Sequence, residues 1–339
     1  MRLSGTKANS TNQYRGLGDQ LYDLGGARPT LDLNFANNDS LADSITGKTL
    51  PTFTRASSAT YVDGDGLIKT TPVNLLTYSE QPDEWLKTSA TVTENVIAAP
   101  DGSITASQLN RTSTSNSNYI RRGTSKDGSS INLTASIYFK KDDARYVAMR
   151  MQGNYPSRAD VTFDLDTGTI SRQPVASSNF SGASATIVPV TGGWYRCSLT
   201  ATTDSHTTVT AFFSCSAENK FVDGESSVIN GVYIWGAQLE EGSTATTYIP
   251  TTSTISGAPR FDHDPATGES LGLLIEEART NIWLNSEDVS TWSSLNSSVN
   301  TNNVVAPDGN TTADTVTFSS IVANWAIRYQ GTYTGTYTW

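Results

Sequence analysis

The chain has 339 residues, of which 36% are hydrophobic and 17% charged, and it carries a formal net charge of −10. That acidity argues against a duplex nucleic-acid binder, which needs a basic face to displace counterions. No run of 18 apolar residues is present to cross a bilayer as a helix, and no membrane insertion is expected. Ser, Thr, Asn and Gly fill the place of charge and apolar residues, a mix suited to strands joined by polar turns.

Residues 1–29 come first and hold five glycines with little periodicity. Leu21, Tyr22 and Leu24 are their one apolar cluster. Arg2, Lys7, Arg15 and Arg28 outnumber Asp19 and Asp23, so the segment is mildly basic in an acidic chain. Such a segment cannot bury enough surface to fold alone. It reads as an extended N-terminal arm, with Leu21, Tyr22, Leu24 and Arg15 as anchoring residues on a partner. Residues 1–6 lead into no apolar run of the kind a secretory leader needs. An adhesin-like composition without a leader points to a virus particle.

From residue 30, Leu31, Leu33 and Phe35 alternate with polar residues, the period of a half-buried strand. Tyr61-Val62 and Leu67-Ile68 flank Asp63-Gly64-Asp65-Gly66, a strong hairpin signal because Gly accepts the positive φ of a tight turn. Asp63 and Asp65 have the chemistry of calcium ligands, but a plain turn accounts for them.

Residues 74–80 (NLLTYSE) then open a repeat. Residues 281–287 read NIWLNSE, Trp85 is matched by Trp292, and Ala99-Pro100-Asp101-Gly102 by Ala306-Pro307-Asp308-Gly309. Thr105-Ala106 matches Thr312-Ala313 and Arg121 matches Arg328, all at one shift of 207 residues without a gap. A unit this long is a duplicated domain and not a solenoid repeat. Residues 74–250 form the first copy and residues 281–339 the start of a second. The second copy is shorter, and the expectation is that the chain is part of a longer protein.

The first copy reads as strands throughout. Residues 79–85 suggest one helical turn capped by Ser79. Alternation follows over 134–139, 146–151, 161–165, 169–170, 185–190, 194–199, 207–215 and 228–239, with turn signals every 8–15 residues. This pattern gives an all-β fold class: tandem β-sandwich (jelly-roll) domains with a small β-subdomain and an extended N-terminal arm. Cys197 and Cys215 either pair across neighbouring strands or stay as buried free thiols, and the size of the chain favours thiols. Beyond the first copy, residues 261–275 read as a second hairpin around a turn at Pro265 and Gly268.

Two segments carry a family likeness. Residues 53–62 (FTRASSATYV) with 65–69 (DGLIK), and residues 259–262 (PRFD) with 272–281 (GLLIEEARTN), resemble a segment common in structural proteins of tailed bacteriophages. There the two often lie close together; here the first copy separates them. Residues 30–73 plus 251–280 are therefore expected to make the small β-subdomain, with the flanking segments paired in one sheet. The repeats resemble lectin-like jelly rolls, of the concanavalin A-like and carbohydrate-binding-module kind, through 74–80, Trp85, 99–102, 193–196 and 235–240.

For chemistry, the acidic pairs Asp142-Asp143, Glu240-Glu241 and Glu276-Glu277 are adjacent, so on strands they face opposite ways and make poor glycosidase pairs. His206 and His263 stand outside any nucleophile motif, and no metal-ligand cluster or phosphate loop is present. The chain is therefore expected not to be an enzyme, with no metal and no cofactor. Sugar CH faces stack on aromatic rings, which makes Tyr119, Tyr138, Tyr146, Tyr155, Trp194 and Trp235 candidates. Trp85, Trp194 and Trp235 suit packing better. Tyr155 in its Gly153-Asn154-Tyr155-Pro156 loop, then Tyr146 and Tyr119, remain as carbohydrate-binding residues.

The resemblance implies a virion structural protein of fibre or appendage type. Residues 1–29 would dock on capsid, portal, adaptor or tail proteins, and the sandwiches would meet a host surface glycan. It also implies a homo-oligomer, and appendages of this kind are usually trimers. Two alternatives stay open: the stalk of a tailspike-type depolymerase whose catalytic domain follows residue 339, or an architectural head, neck or decoration protein.

Overall fold

The computed structural model describes residues 31–47, 51, 53–114, 117–222, 228–277, 283, 285–318 and 326–328. The expected arm, with Arg15, Leu21, Tyr22 and Leu24, lies outside the described residues. Two units are distinguished: Phe53–Ala59 with Thr71–Ala258, and the remainder, which includes Thr60–Thr70 and the chain from Pro259 on.

The strand expected at Leu31, Leu33 and Phe35 is absent. Residues 31–34 are irregular and Phe35–Asn38 make a single helical turn. The Asn34 side chain accepts from the Asn37 amide, and the Asp32 amide donates to Asp43 Oδ1 at 2.7 Å. Short polar side chains that bind nearby backbone compete with a strand ladder, and here they outweigh two-residue alternation. The Asp63 turn does form, joining β1 (Thr60–Val62) to β2 (Ile68–Thr70). Asp63 Oδ1 accepts from the amides of Asp65 and Leu67, at 3.0 and 2.9 Å, so the carboxylate is used by the turn itself.

The larger unit is a sandwich. After β3 (Val73–Asn74) come β4 (Leu86–Thr88), β5 (Ala90–Ile97), β6 (Ala106–Arg111), β7 (Tyr119–Ser125), β8 (Asn132–Lys141) and β9 (Tyr146–Gln152). They are followed by β10 (Arg158–Asp164), β11 (Thr169–Ser177), β12 (Ser181–Val190), β13 (Trp194–Thr202), β14 (Thr208–Ser216), β15 (Gly231–Glu241) and β16 (Ser256–Gly257). One antiparallel sheet has the order β11-β10-β9-β14-β7-β4, the other β12-β13-β8-β15-β6-β5. A single core lies between them. Val147, Met149 and Met151 from β9 and Val209, Ala211 and Phe213 from β14 meet Ile137 and Phe139 from β8 and Leu199 from β13. Alternate residues of β9, namely Ala148 and Arg150, belong to the opposite face, as strand geometry demands. Burying each large apolar side chain contributes about 1.5–3 kcal/mol. Cys197 and Cys215 sit in opposite sheets, buried and free, and burial pushes the Cys215 thiol up to about 12.

The repeat motif acquires a structural meaning here. Asn74 is fully buried. Its Nδ2 donates to the carbonyls of Ala237 and Ile249, at 3.0 and 2.8 Å. Its Oδ1 accepts from the amides of Leu76 and Leu239, at 3.1 and 3.2 Å. One side chain thereby latches the entry of the domain to its last long strand. Ser79 does not cap the helical turn, which spans Pro82–Glu84 without a side-chain cap. Its hydroxyl lies 2.6 Å from the Tyr248 hydroxyl, a tertiary partner that sequence spacing could not reveal. Trp85, Trp194 and Trp235 are all buried, and Trp85 Nε1 donates to the Thr77 carbonyl.

In the smaller unit, β17 (Phe261–His263) and β18 (Ser270–Leu273) form the hairpin read around Pro265 and Gly268. In place of the single sheet expected from the flanking segments, β1 with β2 and β17 with β18 are separate two-stranded ladders, while the segments do pair directly at β3 with β16, Gly257 opposite Val73. Side chains tie the first two ladders together. The Val62 amide donates to Asp262 Oδ1 at 2.8 Å, and Arg260 donates to the Thr60 carbonyl while pairing with Glu276 at 2.8 Å. The unit continues with β19 (Ser293–Leu295), β20 (Ser297–Val304), β21 (Ala313–Phe318) and β22 (Ala326–Arg328). The partners Ser293↔Arg328 and Val304↔Ala313 repeat Leu86↔Arg121 and Ile97↔Ala106 at the 207-residue shift.

Candidate functional site

Three loops at one end of the sandwich enclose an open cleft of about 450 Å³. They are the β9–β10 turn at Asn154, Tyr155, Pro156 and Ser157, the β11–β12 turn at Ser178 and Asn179, and the β13–β14 connection at Asp204, Ser205 and His206. The first is closed by two backbone bonds, from the Gly153 amide to the Ser157 carbonyl and from the Ser157 amide to the Asn154 carbonyl. The second is held to it by Ser177, whose hydroxyl donates to the Pro156 carbonyl at 3.1 Å.

Asp204 joins the third loop to the first. Its carboxylate, itself buried, accepts from the amides of Asn154 and His206, at 3.1 and 3.2 Å. Gly153 is required for this approach: a Cβ there would lie 2.3 and 2.5 Å from the two carboxylate oxygens. Lys126 supports the loop from beneath by donating to the Asp204 carbonyl at 2.8 Å. Over this frame the Tyr155 ring is 69% exposed, with the Arg158 guanidinium 5.6 Å from its centroid. Arg158 is in turn held by Asp160 at 3.0 Å. The cleft thus offers an aromatic face beside amide, hydroxyl and imidazole groups, the combination that holds a sugar by stacking and hydrogen bonds.

The three tyrosines read from the sequence do not converge. Tyr146 pairs with Asp164 at the other end of the β9–β10 ladder, roughly 20 Å from the Tyr155 turn at ~3.3 Å per residue. It is half-buried, with the Arg145 guanidinium 5.1 Å from its ring. Tyr119 packs edge-on against Phe212 at 5.0 Å, beside Ala148 and Val222. Asp204 and His206 were missed as partners of Tyr155. They are some fifty residues away in sequence, and no local motif marks the distance that the strands close. The acidic pairs have structural uses: Asp143 accepts from the Gly231 amide, and buried Glu240 accepts from Gln238 and Thr246.

No family model matches this chain, and no curated protein matches it. Among solved structures, it is similar to the enzymatically active domain of tailspike protein 4 of bacteriophage CBA120, at 12% identity and a TM-score of 0.31. The match covers 50% of this chain and 21% of that one. So small a likeness carries no catalytic site or role across. The expectation that this chain is not an enzyme is nevertheless corrected: the neighbour is an enzymatically active domain, and the non-enzyme reading is not retained.

Proposed function

We propose that the chain is a component of a tailed-bacteriophage appendage that meets a host-surface glycan through the Tyr155 cleft. Support comes from the phage-like segments at 53–69 and 259–281 and from the all-β architecture. The observation that carries the glycan reading is the exposed Tyr155 ring over a cleft of about 450 Å³ lined by polar groups. In this reading residues 1–29 dock on other virion proteins and the assembly is a homotrimer. Its place is the virion.

The test is binding of the full chain to an array of bacterial surface polysaccharides, repeated with Tyr155→Ala. Loss of a stacked ring lowers affinity at least tenfold when the cleft is the site. Retention of wild-type binding by Tyr155→Ala, or binding to no glycan, overturns the proposal. The same incubations read for newly released reducing ends show whether the chain also cuts what it binds.

A further inference from the structure

A second cleft, of about 290 Å³, lies where the short β4 ends and β7 becomes the edge of its sheet. Leu86, Arg121, Arg122, Gly123 and Thr210 line it. Strand pairing sets the first two side by side, Leu86 opposite Arg121, and brings Thr210 opposite Gly123. We propose that this cleft binds the anionic group of an acidic sugar, with the Arg121 guanidinium as its main ligand.

Arg121 Nε is buried and has no hydrogen-bond partner among the described residues, and Arg121 forms no ion pair there. Two other arginines of this sheet, Arg150 and Arg158, are matched by the Asp160 carboxylate. Nε is out of reach of solvent, so the terminal guanidinium nitrogens, which make no hydrogen bond among the described residues, are the donors that an outside acceptor meets. The rest of the side chain is already positioned, since its guanidinium carbon sits 5.7 Å from the Phe212 centroid. A fixed planar fork suits a carboxylate or phosphate. Arg122, next along the strand, points to the opposite face, where it donates to Thr77 Oγ1 at 2.9 Å and lies over the Tyr78 ring, so Arg121 is the cationic ligand of the groove.

The walls suit a sugar more than a bare ion. Leu86 is 65% exposed and offers an apolar surface, and the Thr210 hydroxyl stands across the groove. Gly123 keeps the groove open, because a Cβ there would come within 3.1 Å of Thr210 Oγ1. In the repeat, Arg328 occupies the ladder position of Arg121 while Leu86 is replaced by Ser293. An arginine kept at the same ladder position where its neighbour changed is consistent with use of its charge. The Tyr155 cleft has a separate set of residues, and this proposal does not depend on it.

The experiment titrates the full chain with a glucuronic acid oligosaccharide, glucose 6-phosphate and glucose, followed by NMR shift perturbation and calorimetry. The two anions are expected to bind and glucose not to, with affinity falling as salt rises. Binding of one anion alone identifies carboxylate or phosphate as the group recognised. Arg121→Gln is expected to weaken anion binding more than tenfold, with Arg121→Lys restoring part of it. Should Arg121→Gln fail to fold, Leu86→Glu places a competing carboxylate beside an intact Arg121 from an exposed position and is expected to block binding. Equal binding of glucose, undiminished binding in Arg121→Gln, or undiminished binding in Leu86→Glu overturns the proposal.

Discussion

The first copy and the described part of the second share a backbone almost residue for residue, yet they bury very different amounts of it. Both have a one-turn helix ending at a tryptophan, at Pro82–Glu84 and Val289–Thr291. Both have positive φ at matching sites: Tyr78 and Asn285, Ser89 and Asn296, Asn95 and Asn302. In both, the Ala-Pro-Asp-Gly turn closes with the Gly amide on the Ala carbonyl, and the Asp carboxylate takes the amide two residues on. Burial separates them. Trp85 is 3% exposed and Leu109 fully buried, whereas Trp292 and Val316 are half-buried. In the first copy the β5–β6 ladder is extended by β15, β8, β13 and β12 and faces the other sheet; among the described residues β20 and β21 pair only with each other. Local sequence therefore sets turns and ladders, and the partner strands set what is hidden.

That comparison can be broken most sharply at the tryptophans. Trp85→Ala is expected to destabilise the larger unit by about 3–5 kcal/mol, the usual cost of emptying a buried aromatic site. Trp292→Ala is expected to cost under about 2 kcal/mol, because less area leaves contact with protein. Urea titrations followed by near-UV circular dichroism measure both, and equal losses would mean that the two copies are equally covered.

The turn glycines should behave alike where the tryptophans do not. Gly102 and Gly309 share φ of 86°, so Ala at either costs about 1–2 kcal/mol from the left-handed backbone alone. A Cβ at Gly102 meets nothing within 4 Å, while one at Gly309 meets Leu67 at 3.3 Å. Gly309→Ala is thus expected to be slightly the worse of the two in thermal melts of the separate variants.

The smallest effect is electrostatic. Burial raises the pKa of Glu80, only partly offset by the hydrogen bond from Tyr248, and the Asp101 charge adds to the rise. The fold therefore favours the neutral carboxyl. Its stabilising contribution is complete below the ordinary value of 4.5 and is lost as pH rises through the raised one. Glu80→Gln should flatten the fall in stability above pH 4.5, as read from urea midpoints across pH. The matching Glu287 is exposed, and Glu287→Gln is expected to change stability by less than about 0.5 kcal/mol.

Much of this was legible in the sequence. Alternation in residues 134–139 and 146–151 marked β8 and β9, and the Asp-Gly turn marked the β1–β2 hairpin. β5 (ATVTENVI) gave no such signal, because its short alternation breaks at Asn95, where a positive φ and a register shift against β6 leave Val96 exposed. Tyr155 stood out through its Gly-Asn-Tyr-Pro loop, but its neighbours Asp204 and His206 did not.

By itself the sequence determined the all-β class, the 207-residue repeat and the positions of the tight turns, since these depend on neighbours along the chain and on the φ angles that Gly and Asn accept. The tertiary structure alone decided that Asn74 latches two distant segments, that Ser79 bonds Tyr248, and that Asp204 braces the Tyr155 loop. Each of those contacts joins residues fifty or more positions apart, and strand pairing, which leaves no local trace in composition or period, is what brings them together.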